Sequence, residues 1–221
     1  MHPSCRNILN KCDTLMLDMD GTLLDLAYDS FIWLDLVPKE YAKKMNMSLG
    51  DATAQLYKHF MSLQGTLKWY SSDYWSELLD LDIIKLHQME RDKIQYLTGA
   101  EEFLNLIKTY DIRVLLVTNA HNDILKLKSE VIGIDQYFDQ VYISHDFGAP
   151  KESQLFWKKL SNAEPFDIKR TVFVDDNEIV LDSAKQFGIK SLIQITKPDS
   201  KQKQQIAKNY LGVKGVLELI E

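Results

Sequence analysis

The chain has 221 residues, 45% of them hydrophobic, which is enough for a sizeable core plus an insertion and too much for a disordered segment. A formal net charge of −6 and a pI near 5.4 argue against a nucleic-acid coat or a binder of anionic membranes. Neither nucleic acid nor membrane is therefore expected as a partner, and an anionic substrate must be drawn in by local positive potential.

Residues 1–13 read as a short polar lead-in without the basic-then-apolar order of a signal peptide, and no apolar run approaches the roughly 18 residues of a membrane span. A cytoplasmic protein is expected. Cys5 and Cys12 lack Cys-x-x-Cys spacing and read as two reduced thiols, not a disulfide or a zinc site. Thr14 to Asp18 is predicted as a buried strand that ends on acids: Asp18, then Asp20, then a break at Gly21. Alternate side chains of a strand share a face, so Asp18 and Asp20 point the same way unless the turn at Gly21 re-aims Asp20. Two close carboxylates repel and need a cation or a shared proton. The competing reading, a loop of solvated aspartates, is weaker, because the end of a buried parallel strand is where open α/β folds hold ligands.

From Asp25 to about Asp92 apolar residues recur three and four apart: Phe31, Leu34, Val37, then Leu49, Ala52, Leu56, Phe60, then Leu78, Leu79, Ile83, Leu86, Met89. That is helical periodicity. The reading is a helical insertion over residues 25–95 that interrupts a core made of 1–24 and 96–221. After Gly99 the pattern alternates: helix from Glu101, strand 112–117, helix 122–132, strand 141–143, helix 152–160, strand 171–174, helix 178–187 and strand 190–195. This rhythm predicts a parallel, Rossmann-like sheet covered on both faces, an α/β fold. Ser200 to Tyr210 is read as a surface helix whose Lys-Gln-Lys-Gln-Gln run is a solvated face.

Four short stretches carry chemistry, in this order: Asp18-Met19-Asp20-Gly21-Thr22; Thr118 after an apolar run; Lys151 after Gly148-Ala149-Pro150; and Asp175-Asp176 after Thr171-Val172-Phe173-Val174. Singly each has a bland reading, since Thr118-Asn119 before a helix is an ordinary cap and a lone lysine is usually solvated. Together they resemble the motifs of the haloacid dehalogenase (HAD) superfamily. The similarity extends through Leu24-Asp25-Leu26-Ala27-Tyr28-Asp29, Trp69-Tyr70, Asp73-Tyr74-Trp75-Ser76-Glu77, Thr118-Asn119-Ala120-His121, Phe147-Gly148-Ala149-Pro150-Lys151-Glu152 and Gln186-Phe187-Gly188-Ile189 to the bacterial GMP/IMP 5'-nucleotidase branch.

The resemblance implies a HAD core with a helical cap inserted after the first strand, and a phosphomonoester hydrolase that works through an aspartyl-phosphate. It assigns Asp18 as nucleophile and Asp20 as general acid and base. Thr118, Asn119 and Lys151 become phosphate contacts, and Mg²⁺ is placed on Asp18, the backbone carbonyl of Asp20, and Asp175. Asp176 supports the metal or orients Lys151, with helix capping as its ordinary alternative, and Asn177 suits an N-cap. A general acid two residues after the nucleophile is not needed to cleave a carbon–halogen bond, so Asp20 favours phosphate chemistry. The implied partner is a small phosphorylated substrate, a purine nucleoside monophosphate in the branch reading. A sugar-phosphate or phosphoglycolate-type phosphatase, a phosphomutase and a non-catalytic module are the alternatives. His121 is a candidate substrate contact, and Asp29, Asp73 and His121 are candidates for reading a base edge. Tyr28, Phe31, Trp69, Tyr70, Tyr74 and Trp75 supply aromatic surface for core packing or for stacking on a planar substrate.

Overall fold

The computed structural model describes residues 8–220, so the expectation for Cys5 lies outside the described residues. Six strands form one parallel sheet: β1 (Thr14–Leu17), β2 (Arg113–Thr118), β3 (Gln140–Ile143), β4 (Thr171–Asp175), β5 (Ser191–Ile195) and β6 (Leu211–Val213), in the order β3-β2-β1-β4-β5-β6. Strand direction follows from composition, because runs such as Leu15-Met16-Leu17 and Val172-Phe173-Val174 are apolar on both sides and need both faces covered. Leu15, Leu17, Val114, Leu116, Val172 and Val174 face one core, while Met16, Leu115, Val117 and Phe173 face the other. The strand order reverses at the β1–β4 junction, where such sheets leave a crevice beyond the carboxyl ends of their strands.

Between β1 and β2 the chain is helical: α1 (Ala27–Phe31), α2 (Val37–Met45), α3 (Leu49–Leu63), α4 (Leu67–Tyr70), α5 (Ser72–Leu79) and α6 (Ile83–Met89). Side chains of Ser48, Thr66, Ser71 and Asp82 accept from backbone N–H groups at the starts of α3 to α6, as N-cap residues should. A π-helical turn, Ile32–Leu36, joins α1 to α2. It shifts the helical register, so Ile32 is buried while Leu34, placed on the apolar stripe by the 3.6-residue period, is largely exposed. Leu78 and Met89 are likewise exposed, and Ala52, Leu56, Phe60, Leu79, Ile83 and Leu86 are buried as expected.

The remaining helices alternate with strands: α7 (Ala100–Ile107), α8 (Asn122–Ile132), α9 (Gln154–Ala163) and α10 (Glu178–Phe187). Phe103, Leu104 and Ile107 of α7 and Leu125 and Leu127 of α8 join the first core; Phe156, Trp157 and Leu160 of α9 and Val180, Leu181 and Ala184 of α10 join the second. Asn177 caps α10, its Oδ1 accepting from Ile179 N at 2.9 Å. The stretch 200–210 is not a helix. Its lysines and glutamines offer no apolar stripe, and its backbone is instead held by Gln205 N donating to Thr196 O at 2.7 Å. The chain then forms β6, a strand too short to read from periodicity. No helix among the described residues is long and apolar enough to cross a membrane. Cys12 is buried and unpaired, and burial pushes its thiol up to about 11.

The two connections of the helical insertion cross side by side. Asp25 N donates to Gln95 O and Leu97 N to Leu23 O, at 3.0 and 2.8 Å. The Asp25 carboxylate accepts from Ala27 N, Ser200 N and Gln95 Nε2, at 3.0, 2.9 and 2.9 Å.

Gly21 turns the chain at the end of β1 with φ +83°, and a Cβ there would lie 2.8 Å from the Asp176 carboxyl carbon. Gly21→Ala is therefore expected to lower unfolding stability by about 1–3 kcal/mol in urea denaturation. Gly50, near the start of α3, provides the contrast, since a Cβ there would meet only Ser48 Oγ at an ordinary 3.8 Å. Gly50→Ala should raise stability by up to about 1 kcal/mol in the same assay.

Candidate active site

The three central strands end on the polar residues singled out in the sequence. Asp18 follows β1, and Thr118 and Asp175 are the last residues of β2 and β4. Lys151 reaches this point from the loop before α9, with its side chain 2% exposed. Its Nζ donates to Asp18 Oδ1, to Asp175 Oδ2 at 2.8 Å and to Val117 O at 3.0 Å. The loop is held from two sides: Lys151 N donates to Asn119 Oδ1 at 2.9 Å, and Trp157 Nε1 donates to Lys151 O at 2.8 Å. Asn119 Nδ2 donates to Glu152 Oε2 at 3.0 Å, so Asn119 ties the end of β2 to the lysine loop. Thr118 Oγ1 accepts from Ala120 N at 3.0 Å.

Carboxylate oxygens of Asp18, Asp175 and Asp176 all lie within 4.8 Å of one another. Three carboxylates face one ammonium. Burial pushes the Asp18 carboxyl up to about 7, the Lys151 ammonium pulling against it and Asp175 adding to it. Asp175 is raised by burial, and Asp176 well above its usual range by burial and by the charges of Asp175 and Asp18. Lys151 is held protonated above its ordinary value by Asp175 and Asp18, which outweigh its burial. Carboxylates crowded this way and denied water suit a hard divalent cation with oxygen ligands. Asp176 is closer to the centre than a purely supporting residue need be, since its carboxylate stands in the same cluster as the other two.

The turn at Gly21 does re-aim Asp20. Its Oδ1 accepts from Lys128 Nζ at 2.6 Å, and the same ammonium donates to both oxygens of Asp29, at 3.0 and 2.9 Å. Lys128 is 1% exposed and lies on α8, whereas Asp29 belongs to α1 of the insertion. Burial raises the Asp20 carboxyl to about 6 against the lowering pull of Lys128. The sequence reading missed Lys128, although a signal was present: it stands four residues after Ile124, on the apolar stripe of its helix.

A cavity of about 290 Å³ opens beside Asp20, between the insertion and the core. Asp29, His121, Trp69, Tyr70 and Trp75 from the candidate set line it, as do Phe60, read in the sequence only as part of an apolar stripe, and Trp33 and His87, which the sequence reading passed over. Tyr28, Phe31, Tyr74 and Asp73 do not line it. Trp33, Phe60, Trp69 and Trp75 pack edge-on or tilted with centroids 5.1–6.3 Å apart, the packing role considered for the aromatic residues, and together wall the cavity. His121 Nδ1 pairs with Ser72 Oγ of the insertion at 2.8 Å, and Tyr70 donates to Glu152 Oε1 at 2.6 Å. Insertion and core therefore meet through polar contacts at these points of the rim.

The comparisons with known proteins agree with this geometry. The family model for haloacid dehalogenase-like hydrolases matches residues 15–194. The GMP/IMP nucleotidase YrfG of Escherichia coli K12 is 39% identical over 188 residues, 85% of each chain, and its Shigella flexneri counterpart matches equally. Among solved structures, a HAD phosphatase from Thermococcus onnurineus superposes with a TM-score of 0.78 at 20% identity over 94% of this chain and 95% of the other. The HAD hydrolase YfnB of Bacillus subtilis, described as bound to magnesium, does so with a TM-score of 0.67 at 19% identity over 94% and 96%. At such identities the two structures attest the fold alone. An α/β sheet of this order, the four motifs gathered at its strand ends and a family match over most of the length lead to one conclusion: the chain belongs to the haloacid dehalogenase-like hydrolase family and is an enzyme of its phosphatase type.

Proposed function

We propose that the protein is a Mg²⁺-dependent phosphomonoester hydrolase with a preference for the purine 5'-nucleotides GMP and IMP. The observation that carries the chemistry is the convergence of Asp18 and Asp175 on the Lys151 ammonium at the strand ends, with Asp176 in the same carboxylate cluster and Asp20 turned toward the cavity. Support for the substrate class comes from the 39% identity to a GMP/IMP nucleotidase and from the aromatic walls of that cavity.

In this reading Asp18 attacks phosphorus and forms an aspartyl-phosphate while the P–O bond to the nucleoside breaks. Asp20 gives its proton to the leaving oxygen, then takes one from the water that hydrolyses the intermediate. A carboxyl raised to about 6 serves both duties near neutral pH. Lys128 holds Oδ1 of Asp20 and so fixes the orientation of the acid. Lys151, with Thr118 and the backbone at Asn119, neutralises and orients the phosphate oxygens. The carboxylates of Asp18 and Asp175, joined by the Asp20 carbonyl and by Asp176 directly or through water, would hold Mg²⁺, which supplies charge neutralisation for a phosphate entering an acidic site. The insertion over 25–95 acts as a cap on the core of 1–24 and 96–221, and its aromatic residues, with His121 at the rim, contact the nucleoside.

Phosphate release measured over GMP, IMP, AMP, UMP and several sugar phosphates tests the proposal. GMP and IMP should show the highest kcat/KM; AMP that equals them removes the GMP/IMP preference, and a sugar phosphate that equals them removes the nucleotidase assignment. Isomerisation of a sugar phosphate without phosphate release would make the enzyme a mutase. Asp18→Asn should abolish turnover with the fold intact by circular dichroism. Asp20→Asn should cost about 10²- to 10⁴-fold in kcat through lost proton transfer. Excess EDTA should stop phosphate release, and added Mg²⁺ should restore it.

Metal affinity should depend on pH. A carboxyl raised to about 7 is largely protonated at pH 6 and largely ionised at pH 8, and only the ionised form binds a cation. Mg²⁺ titration followed by calorimetry should therefore give tighter apparent binding at pH 8 than at pH 6, with proton release on binding at pH 6. Equal affinities at the two pH values would count against Asp18 as a ligand.

A further inference from the structure

One cavity-lining group remains without a partner. His87, on α6, is 1% exposed, and its Nε2 has no hydrogen-bond partner among the described residues. A buried polar atom left unpaired is costly, and when it stands on the wall of a cavity the natural partner is whatever fills that cavity.

The other side of the ring fixes what kind of partner this must be. The Tyr28 oxygen lies 2.9 Å from His87 Nδ1 and 3.0 Å from the His87 carbonyl oxygen. A carbonyl oxygen can only accept, so the single Tyr28 hydroxyl hydrogen points to it; placed on Nδ1 instead, that hydrogen would leave two oxygens facing each other at hydrogen-bond distance with no proton between them. Nδ1 must then carry the ring proton and donate to the Tyr28 oxygen. Burial lowers the imidazole to about 3, so it is neutral and holds only that one proton. Nε2 is left as a bare lone pair, a buried acceptor on a ring that borders the compartment walled by Trp33, Phe60 and Trp75.

We infer that His87 Nε2 is a specificity-determining acceptor for the N1–H of a 6-oxopurine base seated among these rings. The inference rests on the nucleotidase reading above and extends it to a named residue. Hypoxanthine and guanine both present N1–H as a ring donor, whereas adenine has a bare N1 that would meet the histidine lone pair to lone pair. Aromatic walls alone hold any purine, so the polar selection falls to groups such as this one. Asp29 is already spoken for, with both its oxygens engaged by Lys128.

The test compares kcat/KM for IMP, AMP and ribose 5-phosphate, the last having no base, in the Mg²⁺-loaded wild type and in His87→Phe and His87→Gln. The ratio of IMP to ribose 5-phosphate should fall roughly 10- to 100-fold in His87→Phe, chiefly through KM. His87→Gln, whose amide oxygen can accept, should recover part of it. An unchanged ratio in both variants overturns the role of His87 while the wild-type preference for IMP leaves the nucleotidase reading standing. A wild type that prefers neither IMP over AMP nor IMP over ribose 5-phosphate overturns both. Because removing the imidazole also removes the partner of Tyr28, a second measurement leaves this residue intact. In Asp18→Asn protein saturated with IMP, the ¹⁵N resonance of His87 Nε2 should move from that of a free acceptor toward that of a hydrogen-bonded one. No movement at saturation would overturn the inference without any change at His87.

Discussion

The constraint on which the rest depends is a buried ammonium between two buried carboxylates. Lys151 is almost wholly buried, and an uncompensated charge there costs several kcal/mol. Asp18 and Asp175 compensate it only because β1 and β4 are neighbours in the sheet and end level with each other, Leu17 opposite Val174. The loop that delivers the lysine is fixed in turn by Asn119 and the Trp157 indole, one from the end of β2 and one from the second core. Sheet register, loop anchoring and charge balance are thus one arrangement. The excess of negative charge that remains after Lys151 is counted is what gives the crevice its capacity for a cation.

The second buried ammonium repeats this logic at the boundary with the insertion. Lys128 neutralises Asp20 of the core and Asp29 of α1 together, so that docking of the helical insertion and orientation of Asp20 are set by the same three groups. A displaced α1 would take Asp29 away and leave Asp20 with a larger share of the lysine. The environment of the proposed acid therefore reports where the insertion stands.

The sheet and the inner site were legible because their signals are local. Apolar runs ending on Asp18, Thr118 and Asp175 give strands and strand ends at once, and a residue at a strand end has little choice of where to project. The insertion gave up its helices but not its register, because the π turn at Ile32–Leu36 displaces Leu34 from the stripe that its spacing suggests. Lys128 and His87 were passed over for a common reason. Each sits on the apolar face of an amphipathic helix, His87 beside Ile83 and Leu86, and a polar residue there marks a buried partner that sequence cannot name. The misread helix at 200–210 shows the converse: lysine and glutamine favour helix intrinsically, yet without an apolar stripe there was nothing to dock.

The hydrogen-bonded crossing of the two connections bears on how this chain folds. Thr14 pairs with Arg113, so the central strand must find a neighbour far along the sequence, a contact of the kind that slows folding. The entropy of closing a loop grows only logarithmically, about 0.6 kcal/mol for each doubling in length. Since Asp25 and Gln95 bring the ends of the helical segment together, a helical block that has already collapsed presents the sheet with a short tether. Helices between the two strands can then be lengthened, shortened or exchanged at little cost to strand pairing, which frees that segment to diverge faster than the sheet that carries it.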